Sequence, residues 1–109
     1  MIRQLRIYEL FEPTREAFHD RFRDHAARLM ASHGFHIAAA WEATATNGAI
    51  AFVYVLEWPD EVTMRDRWAA FMADEEWAAV KRETAAQHGP MVGAIEDRVL
   101  VPVDYLPEW

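Results

Sequence analysis

The side chains able to do chemistry here are few, and their types suggest acid–base work on a small aromatic molecule. His25 and His36 carry imidazoles that could take a proton from a phenol. Tyr8 stands with them as a catalytic candidate, and Tyr8, Tyr54 and Arg6 are the groups that could bind a ligand's oxygen atoms. Trp41, Trp68 and Trp77 could wall a pocket, and an indole N–H there could orient a ligand carbonyl. Together these residues suit proton removal or isomerisation, with or without a following reaction with dioxygen, and no cofactor.

Each candidate also has a plain structural reading. In the stretch RWAAFMADEEW, Met64, Trp68, Phe71 and Met72 have the spacing of a packed helix seam, and Asp74 is an N-cap. His25 sits at the edge of an apolar helical arc, facing either the helix–sheet cleft or solvent beside Asp24. Arg6, Tyr8, His36 and Tyr54 are strand residues that point to a barrel interior or a dimer interface, where Arg6 would pair with Glu96 or Asp97. The histidines lack a ligand spacing such as His-Glu-x-x-His, so no metal is expected, and His33 and His88 fit last helical turns. Ser32 has no nucleophile-elbow context, and the glycines form no phosphate loop. Two readings therefore stand together: an enzyme without a cofactor, and a non-catalytic module that binds a ligand or partner.

Composition narrows the classes. Among 109 residues, 11 basic side chains face 18 acidic ones, a net charge of −7 that argues against binding a nucleic-acid backbone. Cysteine is absent, so disulfides and thiolate metal sites do not arise. No apolar run approaches a membrane span and MIRQLRIYEL lacks a signal-peptide pattern, so the expected location is cytoplasmic.

The elements that would position these residues follow from periodicity. Residues 2–11 alternate as a strand, with Leu5, Ile7 and Phe11 on one face and Gln4, Arg6, Tyr8 and Leu10 on the other. A helix over 15–33 follows, with Thr14 as N-cap, Phe18, Phe22, Ala26, Leu29 and Met30 on one arc, and Gly34 closing it. Residues 35–43 read as a strand with Phe35, Ile37, Ala39 and Trp41 together, then an Asn47-Gly48 turn and a return strand, 50–58, apolar on both faces. A helix ends near Ala73, another runs from Glu75 to about His88, and a last strand spans 91–101 before a proline-punctuated tail. This β-α-β-β-α(α)-β order is the ferredoxin-like arrangement in one α+β domain, 1–109, with helices on one face of a four-stranded antiparallel sheet.

Over nearly its whole length the chain resembles the NIPSNAP family of the dimeric α+β barrel superfamily. The matching stretches are IRQLRIYEL, HGFHIAAAWEA, RDRWAAFMADEEW and AIEDRVLVPVDY. Gln4-Leu5-Arg6-Ile7-Tyr8 meets the family's Glu-Leu-Arg-x-Tyr without its acid, and Asp74-Glu75-Glu76-Trp77 meets Asp-Pro-x-Trp without its proline. The closing Pro-x-Asp-Tyr-Ser-Pro is represented by Pro102-Val103-Asp104-Tyr105-Leu106-Pro107. The resemblance implies a homodimer whose sheets close into a barrel. The superfamily's cofactor-independent monooxygenases, haem-degrading enzymes and lactone isomerases place their sites between helices and sheet, which implies a small apolar or aromatic ligand there.

Overall fold

The elements form in the expected order. The computed structural model describes residues 1–107; the tail's last two residues, Glu108 and Trp109, lie outside the described residues. Strands β1 (Ile2–Leu10), β2 (His36–Thr44), β3 (Ile50–Trp58) and β4 (Val92–Leu100) make an antiparallel sheet in the order β2-β3-β1-β4. Between β1 and β2 run a 3₁₀ turn (Glu12–Thr14), helix α1 (Arg15–Arg21), a π-helical turn (Phe22–Ala26) and helix α2 (Ala27–Ser32). Helices α3 (Glu61–Met72) and α4 (Glu75–His88) join β3 to β4. The fold is ferredoxin-like α+β, as the element order predicts. Among the described residues no helix is long and apolar enough to cross a membrane.

All helices lie on one side of the sheet, and the core fills the space between. From β1 and β3 it takes Tyr8, Leu10, Phe52, Tyr54, Leu56 and Trp58, every second residue, as strand alternation requires. The polar-looking face of β1 is thus the one beneath the helices. Its partner face, with Leu5, Ile7, Val53 and Val55 in register, is the one the helices leave uncovered.

Three departures from the periodic reading have local causes. A bulge between Ile37 and Ala39 puts Ile37 opposite Leu56 on the helix side but Ala39 opposite Val55 on the other, so the expected single face splits. Trp41, opposite Val53, goes with Ala39 and is 48% exposed. The 15–33 helix is interrupted at Phe22–Ala26, where a wider turn appears. Phe18, Phe22, Ala26 and Met30 are spaced by fours, and a regular helix would rotate each about 40° past the last. The under-wound turn reduces that drift and keeps these residues facing the sheet. Thr14 occupies the N-cap position but makes no capping bond; its hydroxyl is 3.5 Å from the Pro90 carbonyl instead.

Two positions near the core require glycine, one for its backbone angle and one for space. Gly34 at φ 83° ends α2, with the Phe35 N–H donating to the Met30 carbonyl at 3.0 Å. Gly93 stands where the Glu9 side chain folds over β4 to accept the Ala94 N–H at 3.0 Å; an added Cβ would lie 1.9 Å from that carboxylate. Glu9 sits at the irregularity between Tyr8 and Leu10 in the β1–β4 pairing, which this contact fills.

Candidate functional site

Between the helices and the sheet lies a cavity of about 270 Å³. Its sheet-side wall is Arg6 and Tyr8 on β1 with Val92 and Ile95 on β4. Its helical side is built from the four-residue series Phe18, Phe22, Ala26 and Met30, and from Trp68, Phe71, Met72 and Trp77. Aromatic packing holds the wall rigid: Phe71 and Trp77 stack at 5.2 Å, and Phe22 meets Tyr54 at 5.4 Å. Phe71 is 1% exposed, whereas Met72, expected beside it in the core, is 55% exposed at the rim.

The polar groups of this space come from neighbouring strands. The Tyr8 and Tyr54 hydroxyls lie 2.6 Å apart, and the Arg6 guanidinium donates to the Tyr8 oxygen at 3.2 Å. Burial raises the Tyr54 pKa well above the ordinary phenol value, so that phenol is a donor and not a base. Arg6 Nη1 pairs with Asp97 at 3.3 Å, as the sequence reading anticipates for its structural alternative, while Arg6 Nε is buried without a partner. Burial opposes the Arg6 charge, but the Tyr8 and Tyr54 oxygens outweigh it and raise its pKa. In the arrangement where Tyr54 donates to Tyr8, the Tyr8 hydrogen is left to offer to the cavity.

Beside this space is a closed polar hub. Gln4, 1% exposed, accepts from Trp58 Nε1 at 3.0 Å and Trp68 Nε1 at 2.7 Å, and donates to Asp97 at 2.9 Å. Trp68 therefore contributes its ring face to the cavity, with Arg6 stacked 4.4 Å from its centroid, and not an indole donor. Gln4 escapes the periodic reading because it looks like one more polar strand residue. The available signal was its phase: it shares the face of Tyr8 and Leu10, where an unpaired amide would be costly.

The candidate residues divide into two groups. Arg6, Tyr8, Trp68 and Trp77 line the cavity, and Tyr54 stands one hydrogen bond behind it. His25, His36 and Trp41 do not meet there. The His25 ring contacts the Arg28 guanidinium at 3.2 Å, and it is not among the lining residues. His36 lies on the uncovered sheet face, its Nδ1 3.0 Å from Glu57, because it alternates with Phe35 and Ile37, which pack against the core beneath the helices. His33, expected to serve its helix end, also bonds Asp74 at 2.7 Å, while Asp74 caps α4 through the Trp77 N–H at 3.0 Å. Among the described residues no histidine or carboxylate lines the cavity, and no cluster of three or more His, Cys, Asp or Glu could hold a metal. The cations Arg21 and Lys81, which no motif marks, do line it.

The NIPSNAP family profile matches residues 3–107. The chain belongs to the NIPSNAP family. Its fold is shared with protein Atu4242 from Agrobacterium tumefaciens, at 17% identity and TM-score 0.79 over 98% of each chain. An uncharacterized NIPSNAP domain protein from Burkholderia xenovorans is similar at 17% identity and TM-score 0.78, covering 99% of this chain and 100% of that one. The ActVA-Orf6 monooxygenase of Streptomyces coelicolor, solved in complex with Nanaomycin D, has TM-score 0.59 and 15% identity over 99% of this chain and 92% of its own. At these identities the likeness establishes the fold. No curated protein matches the sequence.

Proposed function

We propose that this NIPSNAP protein binds a small, largely apolar or aromatic molecule in the helix–sheet cavity, as a homodimer whose uncovered sheet faces meet. The carrying observation is the 270 Å³ space itself, walled by aromatic side chains and supplied at the sheet with a hydroxyl, Tyr8, with Arg6 behind it. A void of about 150 Å³ already holds benzene, so this one suits a body of one or two rings. The Tyr8 hydroxyl would hold the ligand's oxygen. Titrating 2-naphthamide into the protein by calorimetry tests the reading: saturable binding that weakens when Ala26→Leu occupies the space supports it, and no binding by this or other one- and two-ring probes refutes it. For the dimer, the support is the half-buried apolar stripe of Leu5, Ile7 and Val53, with Trp41 48% exposed beside it, on the face without helices. Light scattering should give twice the chain mass, falling to a monomer in Val53→Asp.

A second reading, turnover without a cofactor, draws on the same polar group. One phenol, Tyr8, polarised by the Tyr54 hydroxyl and the Arg6 guanidinium behind it, would stabilise negative charge developing on a ligand oxygen, as an isomerisation or an attack by dioxygen requires. With no base in the wall, the substrate must be acidic enough to ionise without one. Dioxygen uptake by candidate phenols and hydroquinones, compared between wild type and Tyr8→Phe, tests that reading; equal rates in both would remove it.

A further inference from the structure

The cavity's charge balance runs opposite to that of the whole chain. The protein carries 18 acidic residues against 11 basic ones, yet Arg6, Arg21 and Lys81 line the cavity with no carboxylate among the described lining residues. Elsewhere most of the arginines find acids: Arg15 meets Glu42 at 2.5 Å, Arg28 meets Glu76 at 2.5 Å, and Arg65 meets Glu61 at 2.9 Å. Within the cleft, Arg6 is answered by Asp97. Arg21 and Lys81 are not answered by any acid among the described residues.

Those two cations border the same indole ring. The Arg21 guanidinium lies 5.5 Å from the Trp77 ring centroid and the Lys81 ammonium 5.8 Å from it. Arg21 makes one hydrogen bond, to the Thr84 hydroxyl at 3.3 Å. Both residues are half-buried. Burial holds the Arg21 pKa below the ordinary guanidinium value, with the Tyr8 oxygen pulling the other way, so its charge is partly stripped of water without an anion in return. A planar fork and an ammonium flanking one aromatic ring are the donors that a carboxylate takes up. The remaining wall is aromatic and aliphatic, so the acid must belong to a largely apolar molecule.

We infer that the ligand is an aromatic acid of one or two rings, its ring system in the cavity and its carboxylate held between Arg21 and Lys81 at the Trp77 end. This rests on the cavity being a small-molecule site. It adds that the site selects for charge, through residues that belong to α1 and α4 and not to the Tyr8 group on the sheet.

The test is calorimetric titration of 2-naphthoate and of its neutral isostere 2-naphthamide into the full chain. At low salt the naphthoate should bind about tenfold tighter, the size of effect expected of one charge-assisted hydrogen bond. Raising salt should erode that preference while leaving naphthamide unchanged. In Arg21→Met/Lys81→Met the preference, read as the ratio of the two affinities within the same variant, should collapse to near unity, and Arg21→Lys should keep part of it. Lys81→Met alone provides a milder variant, expected to lose part of the preference, should the double substitution impair folding. If naphthamide binds and naphthoate is no tighter, or if the preference survives the double substitution, the charge selection is wrong and the cavity reading stands. If neither probe binds, both fall.

Discussion

The helix–sheet interface has two ends that treat their polar groups in opposite ways. At the Gln4 end, one buried amide accepts both neighbouring indole N–H groups and donates to Asp97, so donor and acceptor requirements close within the protein. At the Trp77 end there is empty space, and the cations bordering it lack carboxylates of their own. Trp68 belongs to both, with its N–H committed to the first and its ring face exposed to the second. A network satisfied internally is a structural device; one left open beside a void is ready to accept something from outside. That contrast locates a site more sharply than the positions of the histidines.

The strongest way to break the contrast is at its closed end. Gln4→Leu is nearly isosteric but leaves the Trp58 and Trp68 N–H groups without an acceptor, while Asp97 keeps only Arg6. We expect a loss of roughly 2–5 kcal/mol in urea unfolding, since each orphaned buried polar group costs about 1–3 kcal/mol. Trp68→Phe removes one donor with its acceptor intact and should cost less. If Gln4→Leu unfolds as the wild type does, the hub has no structural role and the two ends are not different in kind.

The open end is probed by filling it. Ala26 is 1% exposed and faces the cavity from the π-helical turn, so Ala26→Leu should extend into free volume. Stability should stay within about 1 kcal/mol of wild type, whereas overpacking a full core would cost about 1–3 kcal/mol. Affinity for 2-naphthamide should fall about tenfold or more, equivalent to 1.4 kcal/mol. A large stability loss with unaltered binding would mean that the volume used by ligands lies elsewhere.

How far the sequence alone reaches can be seen in the same residues. Strand alternation, the Gly34 stop and the Asp74 cap expose every element to a periodic reading, because each depends on neighbours within a turn or two. The candidate site is half legible: Arg6, Tyr8, Trp68 and Trp77 line the cavity as their types suggest. Trp41 escapes because one inserted residue in β2 reverses a face, and alternation contains no signal for a bulge; His36, before the bulge, takes the face opposite to Ile37. Gln4, Arg21 and Lys81 escape for a different reason. Their significance depends on what is absent around them after packing, an acid for the cations and a second acceptor for the indoles, and long-range vacancies of partner have no local pattern.

Between the two ends, Asp74 sets how the roof is joined, and it offers the smallest and most specific measurement. Its carboxylate accepts from His33 at the close of α2 and from the Trp77 N–H at the start of α4. The His33 bond first, and then the capping N–H, hold its pKa below the usual carboxylate value. A depressed folded pKa means that the stabilisation is complete above the unfolded value near 3.9 and is lost as pH falls through the lower folded pKa. Asp74→Asn keeps an oxygen for the Trp77 N–H but removes the charge. Its melting temperature should lie a few degrees below wild type at neutral pH, and the gap should narrow below the unfolded carboxylate value and close as pH falls through the lower folded one, where the wild-type side chain is protonated too. A gap that persists unchanged into strong acid would assign the effect to amide geometry at the cap and not to the charge shared with His33. A gap that closes would identify this carboxylate as the electrostatic tie that keeps Trp77 in place over the cavity, and so connect the stability of the roof to the site beneath it.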